Sequence, residues 1–278
     1  MPRPAPKTEE FDPPPRVLAV GGTDPTGGAG VTRDVATLSR LGVLSSVAVT
    51  AVTVQTSRGV SDVVVLPASV VAAQIDAAAL ELGFDVVKTG MLCNVDIVHA
   101  LADRLERLGS SARLVLDPVL SASSGRSLLG EEGRVALLER LVPLASLVTP
   151  NLPEAALLSG SPVASPEDMG RAADFFLARG ASAVLIKGGH LIDAAPDRAT
   201  VVDLLRTLDG EELWLERTRR MGLPFRGTGC TLASAIAAGI AEGLTLRASV
   251  ERARDVVERG MESAPLLGLA ARPLGLGA

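Results

Sequence analysis

The sequence predicts an α/β fold built on a mostly parallel sheet. Short segments rich in Val, Leu and Ile alternate along the chain with segments of helical periodicity, which is typical of repeated βαβ units. The predicted strands are almost continuously apolar, as expected for a sheet that helices cover on both faces. A length of 278 residues suits one large α/β domain.

The elements follow in chain order. A buried strand at 17–22 leads into a glycine-rich turn at 23–30 and a helix that ends near Gly42. The pattern predicts further strands at 47–54, 62–67, 85–90, 113–118, 146–151 and 183–189, with a polar loop at 55–60. It predicts further helices at 69–82, 94–109, 131–141, 153–159, 166–180 and 246–261, a hairpin at 200–205 and 212–217, and a small-residue helix after the glycine-rich turn near 227.

Composition divides the chain into three parts. Residues 1–15, rich in proline and charge, are expected to form a disordered arm. No break in composition divides residues 16–262, which we interpret as one domain. Residues 263–278 are apolar but broken by glycine and proline, so we expect a loosely packed tail.

Composition also excludes several classes of function. Aromatic residues make up 2% of the chain, too few for stacking on single-stranded nucleic acid, and a net charge of −5 argues against binding polyanions. Two cysteines make no disulfide framework, and two histidines allow no zinc site of familiar spacing. With no apolar run near the ~20 residues of a membrane span and no secretory signal, we expect a cytoplasmic protein.

Ligands of open α/β sheets bind beyond the carboxyl ends of the strands, so residues there are the first candidates. The turn at 21–30 fits neither the GxGxxG of a Rossmann fold nor the GxxxxGK(S/T) of a P-loop. Asp117, Asn151 and Glu154 follow neighbouring strands, and their oxygens suit a hydrated Mg²⁺ bound with phosphates. Alternatively, Asn151 turns the chain and Glu154 favours a helix N-terminus.

Lysine is rare in this chain, which makes the lysines at strand ends informative. Only Lys7, Lys88 and Lys187 occur, against 24 arginines. Lys187 ends a buried strand, where an ammonium group can bind phosphate oxygens. Lys88 has a similar position, and we interpret it as structural.

The sharpest local signal is Gly227-Thr228-Gly229-Cys230, two glycines that open a helix of small residues. The N–H groups of that first turn and the helix dipole predict an anion site suited to a phosphoryl group in transfer. The same dipole is expected to lower the pKa of the Cys230 thiol. The alternative is a small buried cysteine in a close-packed helix.

Seven motifs together resemble the hydroxymethylpyrimidine/phosphomethylpyrimidine kinases of thiamine synthesis, a family of the ribokinase-like superfamily. They keep the family's order and spacing over about 16–262. The motifs are GGTDPTGGAG (21–30), TAVTVQTSRGV (50–60), VKTGML (87–92), LDPVLSASSG (116–125), VTPNLPEA (148–155), IKGGH (186–190) and GTGCT (227–231).

The resemblance implies a three-layer α/β/α fold that uses ATP and Mg²⁺. The substrates it implies are 4-amino-5-hydroxymethyl-2-methylpyrimidine, phosphorylated on its hydroxymethyl oxygen, and then the resulting monophosphate. By position, the substrate residues are Gln55 at the polar edge of the pyrimidine, Gly22, Met91 and Val119 around it, and Asp24 beside the phosphate path. Lys187, Asn151 and Asp117 are implied for ATP, Glu154 and Asn151 for the metal, and Gly227, Thr228, Gly229 and Cys230 for catalysis.

One departure and several alternatives stand beside this resemblance. Family members usually carry His before GTGC, where this chain has Arg226; this casts doubt on the second phosphorylation, unless the cation helps to bind a substrate that is already anionic. A pyridoxal-type kinase shares fold and mechanism, and Gln55 and Met91 argue against it. Cys230 in place of Asp disfavours a sugar or nucleoside kinase. A further alternative is a related protein that binds the pyrimidine without catalysis. A homodimer is compatible with the sequence.

Overall fold

The computed structural model describes residues 13–109, 113–122, 125–190, 200–220, 222, 224–267 and 270–275. The strands are β1 (Arg16–Gly21), β2 (Leu44–Val49), β3 (Ala51–Thr56), β4 (Gly59–Val65), β5 (Val86–Thr89), β6 (Arg113–Leu116), β7 (Ala145–Val148), β8 (Ala183–Ile186), β9 (Thr200–Thr207), β10 (Glu212–Thr218), β11 (Phe225–Arg226) and β12 (Arg272–Pro273). The helices are α1 (Gly30–Arg40), α2 (Ala68–Glu81), α3 (Val95–Leu108), α4 (Glu131–Ala136), α5 (Leu152–Ser159), α6 (Pro166–Leu177), α7 (Thr228–Ala241) and α8 (Leu246–Glu262).

The predicted α/β fold with a mostly parallel sheet is confirmed. Within the described residues, eight strands form the main sheet in the order β10-β9-β8-β7-β6-β5-β1-β2. Neighbours from β2 to β8 run parallel, and the β9–β10 hairpin adds two antiparallel strands at one edge. Parallel strands bring their carboxyl ends to one edge of the sheet, which is where the predicted site residues follow them.

Helices cover both faces of this sheet, which gives three layers. Leu18 and Val20 of β1 pack into a core with α2, α3, α5 and α6. Val17, which directly precedes Leu18, packs into a second core with α7 and α8. Because side chains alternate across a strand, the near-continuous apolar strands supply both cores.

The predicted strand at 47–54 is in fact two strands. The chain leaves the main sheet after Val49, and β3 pairs antiparallel with β4 in a separate two-stranded sheet, with a turn at 57–58. In β3, Ala51 and Thr53 are buried while Val52 and Val54 are exposed. Thr50 N–H donates to the carbonyl oxygen of Gly21 at the end of β1, and the carbonyl oxygen of Ala51 accepts from Thr23 N–H in the turn that follows. An uninterrupted apolar sequence does not indicate this change of partner, because it depends on backbone bonds to a distant part of the chain.

The ends of the chain differ from each other. Residues 1–12 of the predicted disordered arm lie outside the described residues. The expectation of a loosely packed tail does not hold at 270–275, because β12 pairs with β11 and Leu274 is 3% exposed. Leu266, earlier in the tail, is 82% exposed. Of the helices described, none is long and apolar enough to cross a bilayer.

Candidate active site

A cleft of about 740 Å³ opens at the carboxyl ends of the parallel strands. It collects nearly all of the residues that the sequence singled out, because most of them follow a strand or open a helix at this edge, while Gln55 lies within β3 beside it. Those lining it are Gly22, Gln55, Met91, Asp117, Val119, Asn151, Glu154, Lys187, Gly227, Thr228, Gly229 and Cys230. Asp24 is fully buried and does not line the cleft itself; it pairs with Arg226, which does.

The turn before α7 depends on glycine. Gly227 caps the helix with φ +81°, and a Cβ there would lie 2.1 Å from the carbonyl oxygen of Gly28. Only glycine fits such a contact in this left-handed conformation. The two glycine-rich turns therefore meet, and the first turn of α7 lines the cleft with N–H groups suited to bind an anion, here called the anion site.

Cys230 lies in this first turn, and its electrostatics differ from expectation. Burial raises the pKa of the thiol, and the carboxylates of Asp34 and Asp117 add to the effect. The ammonium group of Lys88 opposes it without reversing it. The expected low pKa was wrong, because loss of hydration outweighs the stabilising charges, and the thiol is neutral near pH 7.

Lys187 and Asp117 form a charged pair under the cleft. Lys187 Nζ donates to Asp117 Oδ1 at 2.8 Å, and the Thr149 hydroxyl donates to the same oxygen at 3.0 Å. Burial opposes ionisation of Asp117, yet Lys187 and Lys88 hold the pKa of its carboxyl below the ordinary value. A Cβ on Gly229 would lie 3.5 Å from Lys187 Nζ, so this ammonium group borders the anion site.

Asn151 and Glu154 form a capping box at the start of α5. Asn151 N–H donates to Glu154 Oε2 and Glu154 N–H donates to Asn151 Oδ1, both at 2.8 Å. The helix-start interpretation is therefore confirmed for both residues. Burial raises the pKa of Glu154 to about 7, and the charge of Asp117 adds to this while Lys187, at 3.9 Å, opposes it.

These carboxylates fit a hydrated magnesium ion rather than an all-protein cage. Oε1 of Glu154 and Oδ2 of Asp117 remain outside the hydrogen bonds just described and belong to residues that line the cleft. In the described part of the chain, no cluster of three acidic, histidine or cysteine side chains could hold a metal by itself. A Mg²⁺ with one or two carboxylate ligands, waters and phosphates matches this donor set.

Sequence reasoning missed a buried ion pair beneath the anion site. Lys88 Nζ donates to Asp34 Oδ1 at 2.7 Å, Ser234 Oγ donates to the same oxygen at 2.8 Å, and both charged groups are buried. Although burial opposes it, the nearby carboxylates raise the pKa of Lys88. Asp34 could have indicated this pair in the sequence, because it places a charge on the buried face of α1 beside Thr37 and Leu38.

Gln55 and Arg226 are linked at the opposite side of the cleft. Arg226 Nη2 donates to Gln55 Oε1 at 2.5 Å and lies 2.9 Å from Asp24 Oδ2. Gln55 Nε2 donates to the carbonyl oxygen of Thr23 at 3.2 Å. Because Arg226 only donates and the carbonyl only accepts, these two contacts fix which end of the amide is oxygen. Each end keeps one further hydrogen-bonding position.

Gly22 and Met91 shape the apolar part of the cleft. A Cβ on Gly22 would lie 2.4 Å from Met91 Cε, so the side chain of Met91 occupies the space that glycine leaves open. The Thr50 hydroxyl donates to the Met91 carbonyl oxygen at 2.6 Å and holds this segment in place. Val119 also lines the cleft, so these residues provide apolar contacts for a small ring.

Comparison with known proteins places this geometry in a family. The family model described as phosphomethylpyrimidine kinase matches residues 24–275. A hydroxymethylpyrimidine/phosphomethylpyrimidine kinase of Rhizobium meliloti is 42% identical over 252 residues, 90% of this chain and 91% of that protein.

Two solved structures are similar throughout. The pyridoxal kinase of Staphylococcus aureus, in complex with AMP-PCP and pyridoxal, has a TM-score of 0.85 and 31% identity, covering 96% of this chain and 95% of its own. The phosphomethylpyrimidine kinase of Clostridium difficile 630 has a TM-score of 0.76 and 31% identity, covering 89% and 99%.

Proposed function

This chain belongs to the phosphomethylpyrimidine kinase family and is a kinase, and from that premise we propose that its cleft phosphorylates an aminopyrimidine alcohol. The substrate is 4-amino-5-hydroxymethyl-2-methylpyrimidine, whose hydroxymethyl oxygen attacks the γ-phosphorus of ATP. The resulting monophosphate is then phosphorylated again to the pyrophosphate. Both reactions serve thiamine synthesis.

The observation that carries this proposal is the placement of Cys230 and Lys187 at one anion site. Phosphoryl transfer depends mainly on positioning and charge stabilisation. The N–H groups of residues 228–230 and the ammonium group of Lys187 lie where the transferred phosphoryl group needs positive charge. Cys230, at the helix start, orients the attacking hydroxyl. Its thiolate, the minor form near pH 7, takes the hydroxyl proton as the new O–P bond forms and ADP leaves.

Glu154 and Asp117 would hold the magnesium ion through their carboxylate oxygens. Asn151, which the resemblance implied as a second metal ligand, keeps its Oδ1 in the capping box, so its amide Nδ2 would instead donate to a phosphate. Bound Mg²⁺ neutralises charge on the phosphates. Lys187 keeps Asp117 ionised, since the carboxylates around it raise the pKa of the Lys187 ammonium group despite its burial.

The amide of Gln55 recognises the polar edge of the pyrimidine. An aminopyrimidine presents a ring nitrogen as acceptor beside an amino group as donor, and each end of the amide has one position left for this pair. Met91, Gly22 and Val119 contact the faces of the ring. Such a match rejects a ligand that leaves buried polar groups unpaired.

The test is to incubate the pure protein with MgATP and one candidate acceptor at a time. The acceptors are hydroxymethylpyrimidine, its monophosphate and pyridoxal, and products are identified by mass. We expect both pyrimidines to gain one phosphate per cycle, and pyridoxal to react at a lower kcat/KM. Phosphorylation of pyridoxal alone would support the second candidate, a pyridoxal-type kinase, which the likeness to the Staphylococcus aureus structure favours. Pyrimidine binding without turnover would indicate a non-catalytic protein.

A further inference from the structure

We propose that the C-terminal segment 270–275 is a positioning element of the active site, which holds the turn at 227–230 in its reactive place. The inference goes beyond the proposed function because it names a further required part of the site. The kinetic measurements that test it rest on that function. Five observations carry it: the strand pairing, two anchors on the core, the contact of Arg33 with both the segment and the turn, and the location of the segment at the cleft.

The pairing places this segment directly beside the catalytic turn. Strand β12 runs parallel to β11, with Phe225 opposite Arg272 and Arg226 opposite Pro273. Arg272 N–H donates to the carbonyl oxygen of Pro224 at 2.9 Å. Gly227 follows β11 at once, so residues 272 and 273 fix the backbone that enters the anion site.

Two contacts fasten the segment to the core. Leu274 is 3% exposed, and Gly275 N–H donates to the carbonyl oxygen of Gly260 in α8 at 2.9 Å. A pairing of two short strands is not stable alone, so the position of β11 depends on these anchors.

Arg33 of α1 joins the segment to the turn from below. It is 4% exposed, and its Nη2 donates to the carbonyl oxygen of Leu274 at 2.8 Å. A Cβ on Gly227 would lie 3.5 Å from Arg33 Cγ, so the same side chain packs against the turn. One buried arginine thus touches both the tail and the start of α7.

The segment also reaches the ligand side. Ala270 and Ala271 line the cleft, and β11 carries Arg226, which contacts Gln55 and Asp24. Release of the segment would therefore displace the anion site and the amide of Gln55 together. A shift of about 1 Å at reacting groups can cost about 100-fold in rate.

The experiment uses the full-length protein with Leu274→Asp, and Leu266→Asp as the matched control in the exposed part of the tail. We expect Leu274→Asp to lower kcat with MgATP by about 10- to 100-fold, more than it changes either KM. Leu266→Asp is expected to keep the wild-type kcat. An equal loss of kcat in both variants would overturn the proposal. So would an unchanged kcat in Leu274→Asp if hydrogen exchange shows that residues 270–275 are released.

Alkylation of Cys230 by iodoacetamide, measured by mass against Cys93 in the same chain, gives a readout that needs no substrate. Release of the turn is expected to make Cys230 react several-fold faster relative to Cys93. If no acceptor is phosphorylated but this ratio rises, the proposed function fails and the positioning role stands. Should Leu274→Asp not fold, Arg33→Met takes its place. Arg33→Lys is expected to restore most of kcat. An unchanged kcat and an unchanged alkylation ratio in Arg33→Met would overturn the proposal.

Discussion

Replacing Glu154 by Gln is expected to stabilise the unliganded protein at alkaline pH while it weakens metal-dependent activity. The carboxyl is almost fully buried, and burial raises its pKa from the ordinary 4.5 to about 7. Because the folded state binds this proton more tightly than the unfolded state, the contribution to stability is fully present below about pH 4.5. It is lost as the pH rises to about 7.

The difference between the two pKa values corresponds to about 3 kcal/mol of stability, most of it lost between about pH 5 and pH 8. Glutamine has no proton to lose, and its side-chain oxygen still accepts the N–H of Asn151 in the capping box. Lys187 loses a partner at 3.9 Å and keeps Asp117 at 2.8 Å. The variant should therefore show a pH dependence that is weaker by about 2–3 kcal/mol.

Urea denaturation followed by circular dichroism at about pH 5 and pH 8 measures this directly. Glu131→Gln is the matched control, because Glu131 also lies in the first turn of a helix but is exposed. If Glu154→Gln and the wild type lose stability equally between the two pH values, the buried carboxyl is not the source. In kinetic assays, Glu154→Gln should need more Mg²⁺ for half-maximal activity.

Four further substitutions test the remaining assignments. Cys230→Ala should lower kcat by about 10²–10⁴-fold. Because burial raises the thiol pKa, the kcat of the wild type should rise from pH 7 to pH 9 and the kcat of the variant should not. A variant kcat within twofold of the wild-type value would remove the thiol from the mechanism. Lys187→Ala should raise the KM for ATP and lower kcat with little effect on pyrimidine KM; unchanged ATP kinetics would leave Lys187 a strand-end lysine. Lys88→Met should cost about 3–5 kcal/mol in urea denaturation, since it leaves Asp34 buried without its partner; a loss below about 1 kcal/mol would contradict the pairing. Gln55→Leu should reduce kcat/KM for the pyrimidine by the equivalent of about 1–3 kcal/mol and affect pyridoxal less; equal losses would argue against amide readout.

Much of the site could be predicted because each residue follows a strand. Asp117, Asn151 and Lys187 come after β6, β7 and β8, which are neighbouring parallel strands, and a parallel sheet brings such positions to one edge whatever the details of packing. The small-residue helix after Gly227 likewise predicted an anion site from local sequence. The capping box of Asn151 and Glu154 depends on residues three positions apart, so the sequence carried that signal as well.

What the sequence by itself determined is therefore the alternation of elements, the edge of the sheet where ligands bind, and the turns that open helices, since all of these depend on local periodicity and chain direction. Only the tertiary structure decided the rest. Lys88 meets Asp34 across 54 positions, and Arg33 meets Leu274 across 241. The neutral thiol of Cys230, the amide orientation of Gln55 and the docking of the tail all arise from such distant partners and from burial. Contacts between residues so far apart, and the loss of water around one particular side chain, leave no periodic pattern in the sequence. Both depend on how the layers of the fold pack over one another.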